Sequence, residues 1–234
     1  MAIAEAAPAG LRLDDLAQGV GDVIRRHAAK PQPAEVPPWI LPPASCDLLR
    51  DLAALFPPAL NSFEFGSGQS THALRAISSQ TTTVENSDEW LSQTEAQQPS
   101  RREQDQAAVV PLRRTWNRLR LIETFDLSGH ALLLNSLGQS RLILVDSPPN
   151  PAKREAALYL ALQAAPVGAV IVIDDLEVRA VGRFSERLAR QNQGAFRFWR
   201  VPIDHQLGVF LKLRQGRVHS RPTLREFVGT WLRA

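Results

Sequence analysis

The sequence predicts an α/β fold: a mostly parallel, seven-stranded sheet with helices on both faces. Three observations lead there. From residue 60 onward, short apolar runs alternate with segments of helical period, the order that builds parallel sheets. Residues 167–173, Val-Gly-Ala-Val-Ile-Val-Ile, contain no polar side chain, as a central strand covered on both faces requires. And the run ending at Phe65 stops at Gly66-Ser67-Gly68 before a helical pattern resumes, a strand–turn–helix junction of the kind that holds ligands.

The elements follow in order. Residues 11–29 place apolar side chains at 13, 16, 20, 23 and 24, near the helical period despite Gly19 and Gly21. Residues 30–43 carry six prolines and read as an extended connector, with Trp39-Ile40-Leu41 docking part of it on the core. Ser45 and Asp47 open a helix that Leu48, Leu49, Leu52 and Leu55 continue until Pro57-Pro58. Strands are expected at 60–65, 81–85, 107–112, 141–145, 167–173, 196–201 and 208–213. Helices are expected at 69–78, 87–97 (capped by Ser87), 130–137, 152–164, 178–191 and 223–232. Residues 98–106 read as a polar loop, and 113–129 fits neither period and reads as an insertion. The chain then divides into an N-terminal arm (1–43), an α/β domain (44–217) and a C-terminal helix (218–234).

Composition sets the class. Hydrophobic residues at 44% and charged ones at 22% are ordinary globular values. The net charge is +3 and the pI 9.6, but only three of the 27 basic residues are lysines and the arginines are scattered among 24 acids. With no basic stripe, a nucleic-acid partner is not indicated. Cys46 is the sole cysteine, which excludes an intramolecular disulfide and a cysteine-based metal site and suggests a reducing compartment. The first residues lack a basic n-region and no run nears the roughly 18 apolar residues of a membrane span, so a soluble, cytoplasmic protein is expected.

In such sheets ligands bind outside the carboxyl ends of the strands. Those ends carry Glu64 with the glycine turn, Glu85, Asp146, Asp174 and Asp175. Gly66 and Gly68 let the backbone bend sharply against a ligand, and the helix from Gln69 points free N–H groups into the bend. Glu85 lies 19 positions beyond Gly66, near the roughly 20 expected of an acid that holds a ribose diol. A nicotinamide dinucleotide site shares that spacing. Against it, Thr71 stands at the third glycine position, and Glu64 before the turn would repel a pyrophosphate while favouring a cationic ligand.

Glu64-Phe65-Gly66-Ser67-Gly68 with Ser70-Thr71, followed by Val84-Glu85, resembles motif I and the next acid of class I S-adenosylmethionine-dependent methyltransferases, over residues 60–214. Val145-Asp146-Ser147-Pro148-Pro149 and Val172-Ile173-Asp174-Asp175 are similar to the fourth and fifth strand ends of a bacterial subgroup that includes small-molecule and sugar O-methyltransferases. The resemblance implies a Rossmann-like sheet with its last strand antiparallel, S-adenosylmethionine as cofactor, and a small-molecule or sugar hydroxyl as acceptor. It implies cofactor binding by Glu64, Gly66, Ser67, Gly68, Ser70, Thr71 and Glu85, with the turn facing the methionine part and Glu85 the ribose. The family's adenine contact after strand three has no evident counterpart; Arg113 and Arg114 stand there instead.

Catechol-type relatives hold Mg²⁺ at the same strand ends, which implies Asp146, Asp174 and Asp175 as ligands. Their lysine three residues after the strand-four acid is missing: Pro149 stands in that place and Lys153 follows later. Without a metal, Asp146 is the natural general base, with His72, His130 and His205 as further candidates and His205 nearest the crevice. Trp90, Phe198, Trp199 and Trp231 read as core or rim, and Trp116 as the aromatic to consider for substrate contact. Two other readings stay open, a scaffold that kept the fold without turnover and a nicotinamide-dependent oxidoreductase. A homo-oligomer is compatible with each.

Overall fold

The computed structural model describes residues 12–29, 41–97, 102–117, 120–150, 153–203 and 206–221, without the side chains at 115–117, 120 and 121. In chain order the elements are α1 (Leu13–Ala28), α2 (Pro43–Ala53), β1 (Asn61–Phe65), α3 (Gln69–Ile77), β2 (Gln80–Glu85), α4 (Asp88–Ala96), β3 (Gln106–Val109), β4 (Leu112–Asn117) and β5 (Arg120–Phe125). They continue with α5 (Ala131–Gln139), β6 (Leu142–Val145), α6 (Glu155–Ala164), β7 (Val170–Ile173), α7 (Arg179–Gln191), β8 (Phe196–Val201) and β9 (Leu207–Lys212). Seven strands form one sheet in the order β3-β2-β1-β6-β7-β9-β8, and only β9 runs antiparallel to its neighbours. This is the Rossmann-like sheet with an antiparallel last strand that the sequence predicts.

Alternation along the strands divides the core between two faces. Ile143, Val145, Ile171 and Ile173 pack with Phe63, Phe65 and the apolar sides of α5, α6 and α7. Their neighbours Leu142, Leu144, Val170 and Val172 pack on the other face with α1, α2 and Leu74 of α3. β6 and β7 are buried throughout, which is why they read as unbroken apolar runs. Helix α1 belongs to this layer, and Gly19 serves the packing: a Cβ there would lie 3.1 Å from Leu55 Cδ2.

The boundaries differ from expectation where local chemistry intervenes. Helix α2 begins at Pro43, two residues before Ser45, because proline suits the first helical position, where its missing N–H has no partner to lose. The predicted third strand stops at Val109, and residues 112–117 and 120–125 pair as β4 and β5, a separate two-stranded ribbon. Its sequence fits neither period because it is not layered into the main sheet. Strand β7 starts at Val170, after a turn in which Ala169 N donates to Pro166 O at 3.1 Å. Most of the proline-rich connector and the helical pattern at 223–232 lie outside the described residues. Among the described residues, no helix is long and apolar enough to cross a membrane.

The chain runs outward from β1 through β2 to β3, then returns to β6 on the other side of β1. That reversal opens a crevice at the carboxyl ends of β1 and β6.

Candidate active site

Beyond Phe65 the backbone turns at Gly66 with φ +109°, a region that L side chains rarely adopt. Its N–H donates to Val84 O at 2.8 Å, and a Cβ there would lie 3.1 Å from Ser147 Cβ, so a side chain is both strained and blocked. Across the turn stands Glu85. One carboxylate oxygen accepts from Ser67 N at 3.0 Å and Ser67 Oγ at 3.2 Å. The other accepts from Asn86 N at 2.6 Å and Ser87 N at 3.1 Å. The turns after β1 and β2 are thereby one unit, and the two features singled out in the sequence are in direct contact.

Trp90 completes this cradle. It lies in the first turn of α4, which Ser87 caps as expected, with Trp90 N donating to Ser87 Oγ at 3.2 Å. The side chain is at the rim, 45% of the residue exposed, and its indole N–H donates to the Ser67 carbonyl at 2.6 Å.

Glu64, Ser70 and Thr71, expected among the cofactor contacts, are placed beneath the turn. Strand alternation sends Glu64 to the opposite face from Phe63 and Phe65, toward the start of α3, where it is fully buried. Its carboxylate accepts from the hydroxyls of Ser70, Thr71 (2.7 Å) and Thr83 (3.2 Å). Thr71 Oγ1 in turn accepts Gly68 N at 3.0 Å. Burial pushes Glu64 up to about 7, with the three hydroxyls and Arg75 opposing. These residues brace the bend through their hydroxyl and carboxylate hydrogen bonds, while the Gly66–Gly68 backbone and the buried Glu85 form the turn itself.

The second half of the site stands at the ends of β6 and β7. Asp146, Asp174 and Asp175 bring one oxygen each to within 4.8 Å of one another. Between two of them lies Arg154, the residue that leads into α6 and is only 4% exposed. Its Nη1 is 3.0 Å from Asp146 Oδ1 and 2.8 Å from Asp175 Oδ2, and its Nε donates to Pro148 O at 3.1 Å. Burial pushes Asp146 up to about 6; Arg154 pulls the other way, and the charges of Asp175 and Glu64 add to the rise. Asp174 is raised well above the ordinary range by burial, then by Asp146 and Asp175. Its Oδ1 is buried without a hydrogen-bond partner, while the rest of the carboxyl bonds to Asp146. Ser147 Oγ donates to Asn86 Oδ1 at 3.2 Å, tying this end of the crevice to the cradle.

Hard carboxylate oxygens suit Mg²⁺, which sits about 2.0–2.1 Å from each ligand atom. The gap between Asp146 and Asp175, however, holds the Arg154 nitrogen. The donor chemistry fits a divalent ion and the filled position does not.

The remaining candidates lie apart from this cluster or outside the described residues. Lys153 pairs with Glu123 of β5 at 2.9 Å. Arg113 and Arg114 pair with Asp126 and Glu123 at 3.2 and 3.6 Å. His72 is half-buried on α3, with burial and Arg75 lowering its pKa, and His130 is exposed at the start of α5. His205 and the Trp116 side chain fall outside the described residues. The reading of the sequence missed Arg154 and the bond from Trp90. One signal for Arg154 was present: a cation at a helix start opposes the helix dipole, so it is there for another partner.

No protein-family model matches the sequence, and no curated protein matches it. Solved structures do. An O-methyltransferase from Bacillus cereus in complex with S-adenosylhomocysteine is 19% identical, with 83% of this chain and 91% of that chain covered and a TM-score of 0.52. The O-methyltransferase TomG from Streptomyces achromogenes, involved in tomaymycin synthesis and solved with S-adenosylmethionine, is 18% identical over 88% and 93% of the two chains, at a TM-score of 0.52. An rRNA methylase from Streptococcus thermophilus is 16% identical over 73% and 95%, at 0.51. At these identities the likeness establishes the fold, which is that of class I S-adenosylmethionine-dependent methyltransferases.

Proposed function

We propose that this chain is an S-adenosylmethionine-dependent methyltransferase that methylates a hydroxyl of a small molecule or sugar. One observation carries the reading. The Gly66–Gly68 turn and Glu85 share a crevice at the sheet's switch point, with Ser67 N 3.0 Å from the carboxylate. The fold alone would not do so, since one fold hosts many functions.

The bound cofactor supplies an electrophilic methyl group on a cationic sulfur. The glycine turn gives it close backbone approach, and the carboxylates of Glu85, Asp146 and Asp175 around the crevice favour a cation over a pyrophosphate. A carboxylate offers about four acceptor sites, and Glu85 already accepts four hydrogen bonds. A ribose hydroxyl therefore replaces one of them, and the 3.2 Å bond from Ser67 Oγ is the longest. At the other end, the acceptor hydroxyl loses its proton to Asp146, or to Asp174 through the bond between them, as its oxygen forms the new C–O bond and the C–S pair stays on sulfur. A carboxylate raised to about 6 is a better base near neutral pH than an ordinary aspartate.

Isothermal titration tests the reading directly. Native protein should bind S-adenosylmethionine or S-adenosylhomocysteine in the micromolar range and NAD not at all, and Glu85→Ala and Gly66→Val should each abolish that binding. Unaltered binding in both variants overturns it. Binding of NAD in place of the sulfonium supports the oxidoreductase, and cofactor binding with no methyl transfer to any hydroxylated acceptor supports the scaffold.

A further inference from the structure

We propose that Arg154 is the resident cation of the Asp146–Asp174–Asp175 cluster, standing where a divalent ion would otherwise bind, so that the native crevice excludes Mg²⁺. Three observations support this. Position is the first: a single guanidinium nitrogen lies 2.8 and 3.0 Å from two different carboxylates of the cluster. Anchorage is the second: Nε is held by Pro148 O at 3.1 Å and the residue is 4% exposed, so the side chain has no solvent-facing alternative. The third is the pairing of its neighbours. Lys153 is engaged by Glu123 and Glu155 by Arg187, while Arg154 is directed at two of these acids.

A guanidinium is planar, permanently charged and able to bridge two carboxylates, whereas Mg²⁺ demands near-octahedral oxygen ligation at about 2.0–2.1 Å. Both cannot occupy one gap: the ion would face a buried positive charge within a few ångströms. Asp174 Oδ1 is buried without a hydrogen-bond partner, so the cluster keeps one oxygen for the acceptor's proton while Asp146 and Asp175 share one guanidinium. The inference takes from the proposed function only that the acceptor enters here.

The test uses the full chain with Mn²⁺ as probe, followed by the electron paramagnetic resonance of the free ion, with neither cofactor nor acceptor present. It can therefore fail while methyl transfer stands, and the reverse. Native protein should bind no Mn²⁺ below millimolar concentration. Arg154→Met should bind one ion per chain at least about 100-fold more tightly, since removing a juxtaposed like charge restores a site it had blocked. That ion should be lost again in Arg154→Met combined with Asp174→Asn. Arg154→Lys, which keeps the charge, should stay silent. If circular dichroism shows that the Met variant has lost its fold, Arg154→Gln replaces it with the same expectations. One tightly bound Mn²⁺ in the native protein overturns the proposal. So does a folded Arg154→Met or Arg154→Gln that binds no better than native.

Discussion

The two ends of the crevice handle negative charge in opposite ways. In the cradle, Glu85 is surrounded by neutral donors, three backbone N–H groups and a hydroxyl, and Glu64 beneath it by three hydroxyls. At the ends of β6 and β7, three carboxylates face one another and two of them share one guanidinium. Backbone N–H groups fix the shape of the cradle around Glu85. In the acid cluster Arg154 bridges two carboxylates, and burial raises the pKa of Asp146 and Asp174, so its state follows pH and whatever enters. The first arrangement suits holding a ligand; the second suits taking a proton from one. Gly66 is where they meet, its Cα backed against Ser147 of the second.

The sharpest way to break this division is Asp146→Asn, which keeps the shape of the side chain and removes its basicity. Turnover should fall by about 10²–10⁴, the range general-base catalysis contributes. Cofactor affinity, read by titration, should stay within a few-fold of native. Glu85→Ala should do the reverse and act first on binding. An Asp146→Asn enzyme with full turnover would move the base elsewhere, His205 being the candidate from the sequence. A variant that loses cofactor affinity as well would merge the two regions into one.

The cradle was legible in the sequence for a physical reason. Its geometry is made by backbone, and backbone geometry is written in glycines and in the fixed spacing to Glu85. The acids at the ends of β6 and β7 were legible because each ends an unbroken apolar run. What the sequence did not show is where side chains reach. Glu64 reads as a cofactor contact by its position in the motif, and only the fold shows its carboxylate bonded to the hydroxyls of Ser70, Thr71 and Thr83. Arg154 is eight residues beyond Asp146, and Trp90 is 23 beyond Ser67; neither has a local pattern, since both contacts are made by folding. The strands at 112–117 and 120–125 were hidden because they pair with each other and not with the main sheet, and among their described side chains only Phe125 is buried in the core, too little to impose a period.

A second prediction compares the regions through stability. Glu64 has a folded pKa of about 7 against 4.5 for an ordinary glutamate. A raised acid stabilises the fold fully below the unfolded value, and that contribution is lost as pH rises through the folded one. Between pH 4.5 and about 8 Glu64 should therefore remove roughly 3 kcal/mol, by the 1.36 kcal/mol each pKa unit represents. Denaturant midpoints at pH 5 and pH 9 should differ in that direction, and Glu64→Gln should narrow the difference without closing it. Asp146 and Asp174, whose shifts have the same sign, contribute to the remainder, and Lys212, lowered by burial to about 8, opposes them above that pH. A variant as pH-sensitive as the native chain would show that Glu64 ionises freely and that all the tension sits in the acid cluster.

The smallest effect is expected at Trp90, and it tests whether the cradle extends to α4. The indole N–H holds the Ser67 carbonyl at 2.6 Å from outside while Glu85 holds the Ser67 N–H from inside, so the turn is clamped across one residue. Trp90→Phe keeps the ring and deletes the bond, and a hydrogen bond of this kind contributes about 0.5–1.5 kcal/mol net. Cofactor affinity should fall by about three- to tenfold, and turnover at saturating cofactor should hold, because the acid cluster is untouched. With 45% of the residue exposed beside the turn, Trp90 should also report binding: cofactor should change the native emission, and that change should vanish in the Phe variant despite the chain's other four tryptophans. Unchanged affinity together with a retained fluorescence response would detach Trp90 from the cradle and leave Glu85 and the glycines to hold the turn alone.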